Sequence, residues 1–290
     1  MHIHTSHKSG FSLIELLIAM ILGTLVIGMV IYISSGQRRS FISQKSREES
    51  QESVSRMHGE LLDKIRMAGY MIPSDVKGII PFHVTSGPDS IRVTGNYDNF
   101  TSSLYQAVGS SSTFLVARHN SNYKYRKWMR IYLVDRTSIP PLERWAIVDT
   151  AIVFSWSGQQ LILFNIAGTI GKAFPAGTRV STFSSYTFKA KTDASGKKYC
   201  GFTMNGFNLD HILVEGIEDI RLTYELRNDT TDRLTLPPDS LQYIYSVNIE
   251  LQSKAQTPDY RYVDPVYNDN YRRETLKSEV VILNHAIERR

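Results

Sequence analysis

The chain is poor in nearly everything that marks an enzyme or a disulfide-stapled module. Of 290 residues one is cysteine, Cys200, so no internal disulfide holds the fold even outside the cytoplasm. No catalytic base is legible beside it, and it reads as a structural thiol. The sequence has no G-x-S-x-G elbow, H-E-x-x-H pair, C-x-x-C pair, Walker loop or EF-hand loop. Three of its eight histidines stand in the first ten residues, and His58, His83, His119, His211 and His285 share no ligand spacing, so each reads as a surface or satisfied polar residue. Neither an enzyme nor a cofactor is expected. Charge of one sign is also scarce: 33 Lys and Arg against 28 Asp and Glu give +5, a mild basic excess that permits anionic partners without demanding them.

What the chain does have is one long apolar run. Gly10-Phe11-Ser12-Leu13-Ile14-Glu15-Leu16-Leu17-Ile18-Ala19-Met20 opens a 23-residue stretch that ends at Ile33, and Glu15 is its one charged side chain. As a helix the run reaches roughly 34 Å, enough to cross a hydrocarbon core of about 30 Å. A carboxylate inside such a span costs on the order of 2.5–3.5 kcal/mol, so it needs a partner or a purpose. A secretory signal peptide has a shorter apolar core followed by a small-residue cleavage site, whereas this run ends in Tyr32-Ile33-Ser34-Ser35-Gly36. An ordinary single-pass anchor accounts for the length but for neither Glu15 nor the Gly10-Phe11 junction.

These residues closely resemble the prepilin signature of type IV pilins and type II secretion pseudopilins. The resemblance implies cleavage of a polar leader between Gly10 and Phe11 by a dedicated inner-membrane prepilin peptidase, then N-methylation of Phe11. It further implies that Glu15, the fifth residue of the mature chain, pairs with the terminal amine of a neighbouring subunit. The physics agrees, because joining an ammonium and a carboxylate in lipid lowers the cost of both. Two topologies remain open. Arg38, Arg39, Lys45 and Arg47 follow the span while Lys8 and three histidines precede it, so the positive-inside rule alone puts the bulk of the chain in the cytoplasm. The resemblance implies the reverse, a cytoplasmic N-terminus and a periplasmic head.

After residues 34–53, which are mostly polar, Val54, Met57, Leu61, Leu62, Ile65 and Ala68 recur at spacings of three and four, the pattern of a helix with one buried face. Gly69 and Pro73 mark its stop. Beyond, aromatic, Thr and Val content favours sheet. Strands are predicted over 90–94, 113–117, 129–134, 151–156, 161–165, 179–188, 217–226, 244–252 and 279–283. In the eighth, Tyr243, Tyr245, Val247, Ile249 and Leu251 are expected on one face. The expected organisation is a leader over 1–10, a transmembrane helix over 11–35, an amphipathic helix over 36–70 and a β-rich head over 71–290. The class is α+β, with the long N-terminal helix packed on a mainly antiparallel sheet.

The stretch Ile65-Arg66-Met67-Ala68-Gly69-Tyr70, the strand entry over 213–224 and the closing strand pair resemble PilW-like minor pilins and J-type pseudopilins. Tyr32 stands where major pilins commonly have proline, and the head, near 220 residues, exceeds that of a typical pseudopilin. The resemblance therefore implies a minor pilin that primes or caps a type IV pilus, with other minor pilins, the major pilin, the prepilin peptidase and the inner membrane as partners. Leu13, Leu16, Leu17, Ile18 and Ile21 would pack on neighbouring helices. The alternatives are a J-like pseudopilin of a type II secretion system, a pilin-mounted adhesin or DNA-binding module, and a single-pass membrane enzyme.

Two further features carry binding chemistry. Between Tyr123 and Tyr132, Lys124, Arg126, Lys127 and Arg130 interleave with aromatics including Trp128, a composition suited to stacking bases and neutralising phosphates of DNA, or equally to a charged strand with half-buried rings. Asp264, Asn268, Asp269 and Asn270 place four oxygen-bearing side chains in one loop, either a weak calcium site or an ordinary turn.

Overall fold

The computed structural model describes residues 12–119, 128–205, 211–227 and 229–283. One helix, α1 (Leu13–Arg66), precedes fourteen strands. In chain order these are β1 (Ile79–Phe82), β2 (Ser90–Gly95), β3 (Thr101–Ser103), β4 (Phe114–Arg118), β5 (Arg130–Asp135), β6 (Leu142–Trp156) and β7 (Gln159–Ile166). They continue as β8 (Arg179–Thr192), β9 (Lys198–Met204), β10 (His211–Glu215), β11 (Ile217–Leu226), β12 (Asp229–Arg233), β13 (Ile244–Lys254) and β14 (Arg273–Val281). All strand pairings are antiparallel. The class is α+β, a long apolar N-terminal helix followed by antiparallel sheets. The chain divides into two compact units, Met1–Glu49 with Ala255–Arg272, and Ser50–Lys254 with Arg273–Arg290.

In the first unit, the carbonyl of Ser12 accepts from the amides of Glu15 and Leu16 and so opens the helix. The few hydroxyls of the apolar run return to their own backbone, Thr24 Oγ1 to the carbonyl of Ile21 and Ser35 Oγ to that of Tyr32, both at 2.8 Å. A strap over 255–272 is tied to the helix by two polar clamps. The Glu49 carboxylate accepts from the amide and the hydroxyl of Thr257, each at 3.0 Å. Arg272 bridges Asp259 at 2.9 Å and Ser43 Oγ at 3.3 Å, and its guanidinium lies 4.6 Å from the Tyr262 ring centroid. Burial opposes the charge on Asp259, but Arg272 and the amide of Arg261 hold its carboxyl below the usual range.

In the second unit, Val54, Met57, Leu61 and Ile65 form the buried seam expected of the amphipathic helix, with Leu62 packed at its margin. The helix ends at Arg66, so Ala68 is buried just beyond it, in the turn. Gly69 adopts φ +80°, and its amide donates to the carbonyl of Thr94 at 2.8 Å. Gly95 lets β2 approach this turn: a Cβ there would stand 2.5 Å from the Met67 carbonyl oxygen.

Strand β8 serves two sheets at once. Residues 184–192 pair with β2 on one side and β9 on the other, extending to β1 and β10. Residues 179–183 pair with β3 and β5, and β5, β6, β7 and β4 follow in order. The ring then closes, because Leu104 bridges Ala117 and the amide of Tyr105 donates to the Val116 carbonyl at 2.8 Å. Its interior is filled by Leu104, Leu115, Ile131, Leu133, Ile162, Phe164 and Val180, none more than 2% exposed. The separate sheet β12-β11-β13-β14 packs with β8, β2 and the seam in another core that includes Met57, Leu61, Phe188, Ile220, Leu222, Ile249 and Leu251. Asp89 stitches the β1–β2 turn to β11, its amide donating to the Ile220 carbonyl and its Oδ2 accepting from the Leu222 amide. Glu218 on β11 joins Lys198 on β9 and Arg273 on β14.

One expectation about β13 fails in part. Val247, Ile249 and Leu251 are buried, but Tyr243 is exposed, lies in the short 3-10 helix Pro238–Tyr243, and Tyr245 is only half-buried. The pairing jumps from Leu226↔Ile244 to Glu225↔Ser246, so Tyr245 is the extra residue of a bulge that reverses the alternation, and Ile244 enters the core with Val247 instead.

Candidate functional site

Gly10 and Phe11 lie outside the described residues, and the site that can be built begins at Glu15 in the first turn of α1. The carboxylate of Glu15 has no hydrogen bond or ion pair among the described residues, and the residue is exposed. Around it Leu13, Leu16, Leu17, Ile18 and Ile21 are 52–82% exposed. At 100° per residue, Glu15 stands roughly 160° around the helix from Leu17, so no single face gathers these side chains. The helix is apolar on every side with one carboxylate set among the apolar residues. By length and composition it can cross a membrane, and none of its apolar window is covered by the rest of the chain.

The remaining candidates fall in two places. Lys124, Arg126 and Lys127 lie outside the described residues. Trp128 is partly exposed at φ +68°, and its amide donates to the Val148 carbonyl. Arg130, next on β5, is half-buried: Nη1 reaches Ser185 Oγ and Nη2 the Asn205 carbonyl, both at 3.4 Å. Its guanidinium faces the rings of Trp145 and Phe183 at 5.7 and 5.9 Å. Burial, then the charge of Arg92, lowers its pKa from the ordinary arginine value.

The acidic loop folds as a turn. Asp264 Oδ1 accepts from the amides of Val266 and Tyr267, Asp269 Oδ1 accepts from the amide of Tyr271, and Asn270 Nδ2 donates to the Tyr262 carbonyl. The backbone of Asn268 closes it, donating to the Asp264 carbonyl at 2.9 Å. Among the described residues no three His, Cys, Asp or Glu side chains converge as metal ligands. Cys200 is buried, and burial pushes its thiol up to about 12, away from nucleophilic chemistry.

Sequence reasoning passed over the clamps of the strap and the Arg92 partner of Arg130. Glu49 and Thr257 are 208 positions apart, and Arg92 and Arg130 are joined only through β8, so no local pattern signals either.

Comparison with known proteins bears on the N-terminal feature. Residues 5–31 match the family model described as the prokaryotic N-terminal methylation motif. Among solved structures the chain is similar to a type IV-like pilin from Thermus thermophilus, with 8% identity, a TM-score of 0.37, and coverage of 81% of this chain and 97% of that one. At that identity no residue role passes from one protein to the other. No curated protein matches this sequence. The chain thus has an N-terminal methylation motif on a long apolar helix ahead of antiparallel sheets.

Proposed function

We propose that the chain is a PilW-like minor pilin, a non-enzymatic subunit that joins other minor pilins and the major pilin to prime or cap a type IV pilus. The observation that carries this reading is the methylation motif over residues 5–31, which runs into the first half of α1, where the apolar side chains of residues 13–33 are exposed and the one charge is Glu15. Before assembly the helix spans the inner membrane with a cytoplasmic N-terminus and a periplasmic head; afterwards the head stands at the cell surface. The prepilin peptidase cuts between Gly10 and Phe11 and Phe11 is methylated. Glu15 then accepts the terminal amine of an adjacent subunit, which removes two unpaired charges from lipid and sets the register of the two helices.

Mass spectrometry of the N-terminal peptide from membranes of the native host tests the processing step. A peptide that begins at Phe11 and carries one added methyl is the expected result, and an intact Met1 terminus would sink the proposal. Glu15→Ala should be processed normally yet lower surface piliation at least tenfold, as counted by electron microscopy; full piliation would remove Glu15 from assembly. Loss of secreted enzymes with normal pili in a deletion strain would instead identify a J-like pseudopilin.

A further inference from the structure

Strand β8 brings two arginines from its opposite neighbours onto one face of a sheet. Arg92 on β2 stands across from Thr187, and Arg130 on β5 across from Phe183. Residues 183, 185 and 187 share a side by alternation, while Phe188 and Ala190 of the other side enter the core. Arg92 Nε donates to Thr187 Oγ1 at 3.2 Å, and Arg130 Nη1 to Ser185 Oγ at 3.4 Å. The two hydroxyls are two residues apart on one strand, roughly 6–7 Å, so the guanidiniums are neighbours. Each guanidinium is half-buried rather than free in water.

Such a pair is unfavourable without compensation, yet among the described residues neither arginine bonds a carboxylate. Other arginines of this unit do: Arg221 pairs with Asp219, Arg233 with Asp229 and Arg273 with Glu218. Rings hold this pair instead, Arg92 lying 5.4 Å from the Phe82 centroid while Arg130 faces Trp145 and Phe183. Aromatic faces orient a guanidinium without neutralising it. Of five N–H donors on each group, Arg92 spends one and Arg130 two. The exposed Lys189 follows Thr187 on the same side and adds to the positive field.

We infer that Arg92 on β2 and Arg130 on β5, flanking β8, form an oxyanion site that takes a phosphate group, free or carried in a phosphodiester. A phosphate is an oxyanion with enough oxygens, set tetrahedrally, to accept from both guanidiniums at once.

The test is calorimetry on the full-length protein in detergent micelles at low salt, with pyrophosphate and with a 12-residue oligothymidine as probes. At least one probe should bind saturably, weaken as salt rises, and lose at least tenfold in affinity with Arg92→Gln and with Arg130→Gln. Arg92→Gln removes a single hydrogen bond, that to Thr187 Oγ1, so it reads the site even where Arg130→Gln disturbs the fold. Oligothymidine that displaces pyrophosphate, or binds where pyrophosphate does not, assigns the site to a phosphodiester. Saturable pyrophosphate binding that oligothymidine leaves unchanged assigns it to free phosphate. No saturable binding of either probe, or undiminished affinity in a folded Arg92→Gln variant, overturns the site.

Discussion

Two apolar regions of α1 obey different rules. Over residues 54–65 the apolar positions keep to one seam, and Val54, Met57, Leu61 and Ile65 are at most 2% exposed because the chain's own sheets cover them. Over residues 13–33 apolar side chains occupy every side of the helix, and none of the described residues covers them. A one-sided stripe is answered within a fold, whereas an all-round one is answered by lipid or by other helices. The difference places the energetics of the first region outside the molecule.

That contrast can be broken most directly by truncating one residue of each kind. Leu61→Ala should cost about 2–5 kcal/mol of stability, whereas Leu16→Ala should stay within about 0.5 kcal/mol; urea unfolding followed by tryptophan fluorescence in detergent compares them. Equal losses would mean that residues 13–33 pack on the chain itself.

A smaller effect sharpens the covered side, which depends on sheets clamped by charge. Burial works against ionised Glu218, yet Arg273 at 2.5 Å and Lys198 at 3.2 Å hold its carboxyl below the ordinary glutamate range. The clamp therefore contributes fully above about pH 4.5 and is lost as pH falls through the lowered folded value. Glu218→Gln should cost about 1.5–3 kcal/mol at pH 7 and flatten the acid limb of the stability profile; an unchanged limb would dissociate Glu218 from acid unfolding. The smallest effect belongs to Lys45→Ala, which removes an exposed pair 3.8 Å from Glu49. It should change the unfolding free energy by less than about 0.5 kcal/mol, and a larger loss would show that Lys45 supports the Glu49 clamp on Thr257.

Much of this division was legible in the sequence because it is local. The seam was readable from spacing alone, and β11 occupies the predicted 217–226. Strands β1, β3, β9, β10 and β12 were not anticipated, for separate reasons. β1 contains Pro81, β3 is three small polar residues, β9 includes Gly201, and β12 reads Asp-Thr-Thr-Asp-Arg, so none of these shows the apolar alternation that marks a strand, while β10 is a short run that overlaps the strand entry read over 213–224 and is set off from β11 by Gly216. β14 begins six residues before the prediction because its first half, Arg-Glu-Thr-Leu-Lys, is charged. The N-terminal motif was legible for the same reason as the seam, while the Arg92–Arg130 pair depends on both strands finding β8.

The ring closed through Leu104 bears on how the head avoids adhering to other chains through its sheets. An open sheet offers a row of unpaired amides and carbonyls that recruits another chain, and closure leaves β4 and β3 without that row. Of the other described edges, β1 carries Pro81, β12 is polar throughout and β14 presents Arg273, Glu274, Lys277 and Glu279, whereas β10, paired with β9 alone, keeps an apolar stretch at Ile212-Leu213-Val214. Edge-to-edge growth, the route to amyloid-like fibres, is thereby discouraged at every described edge of the head except β10.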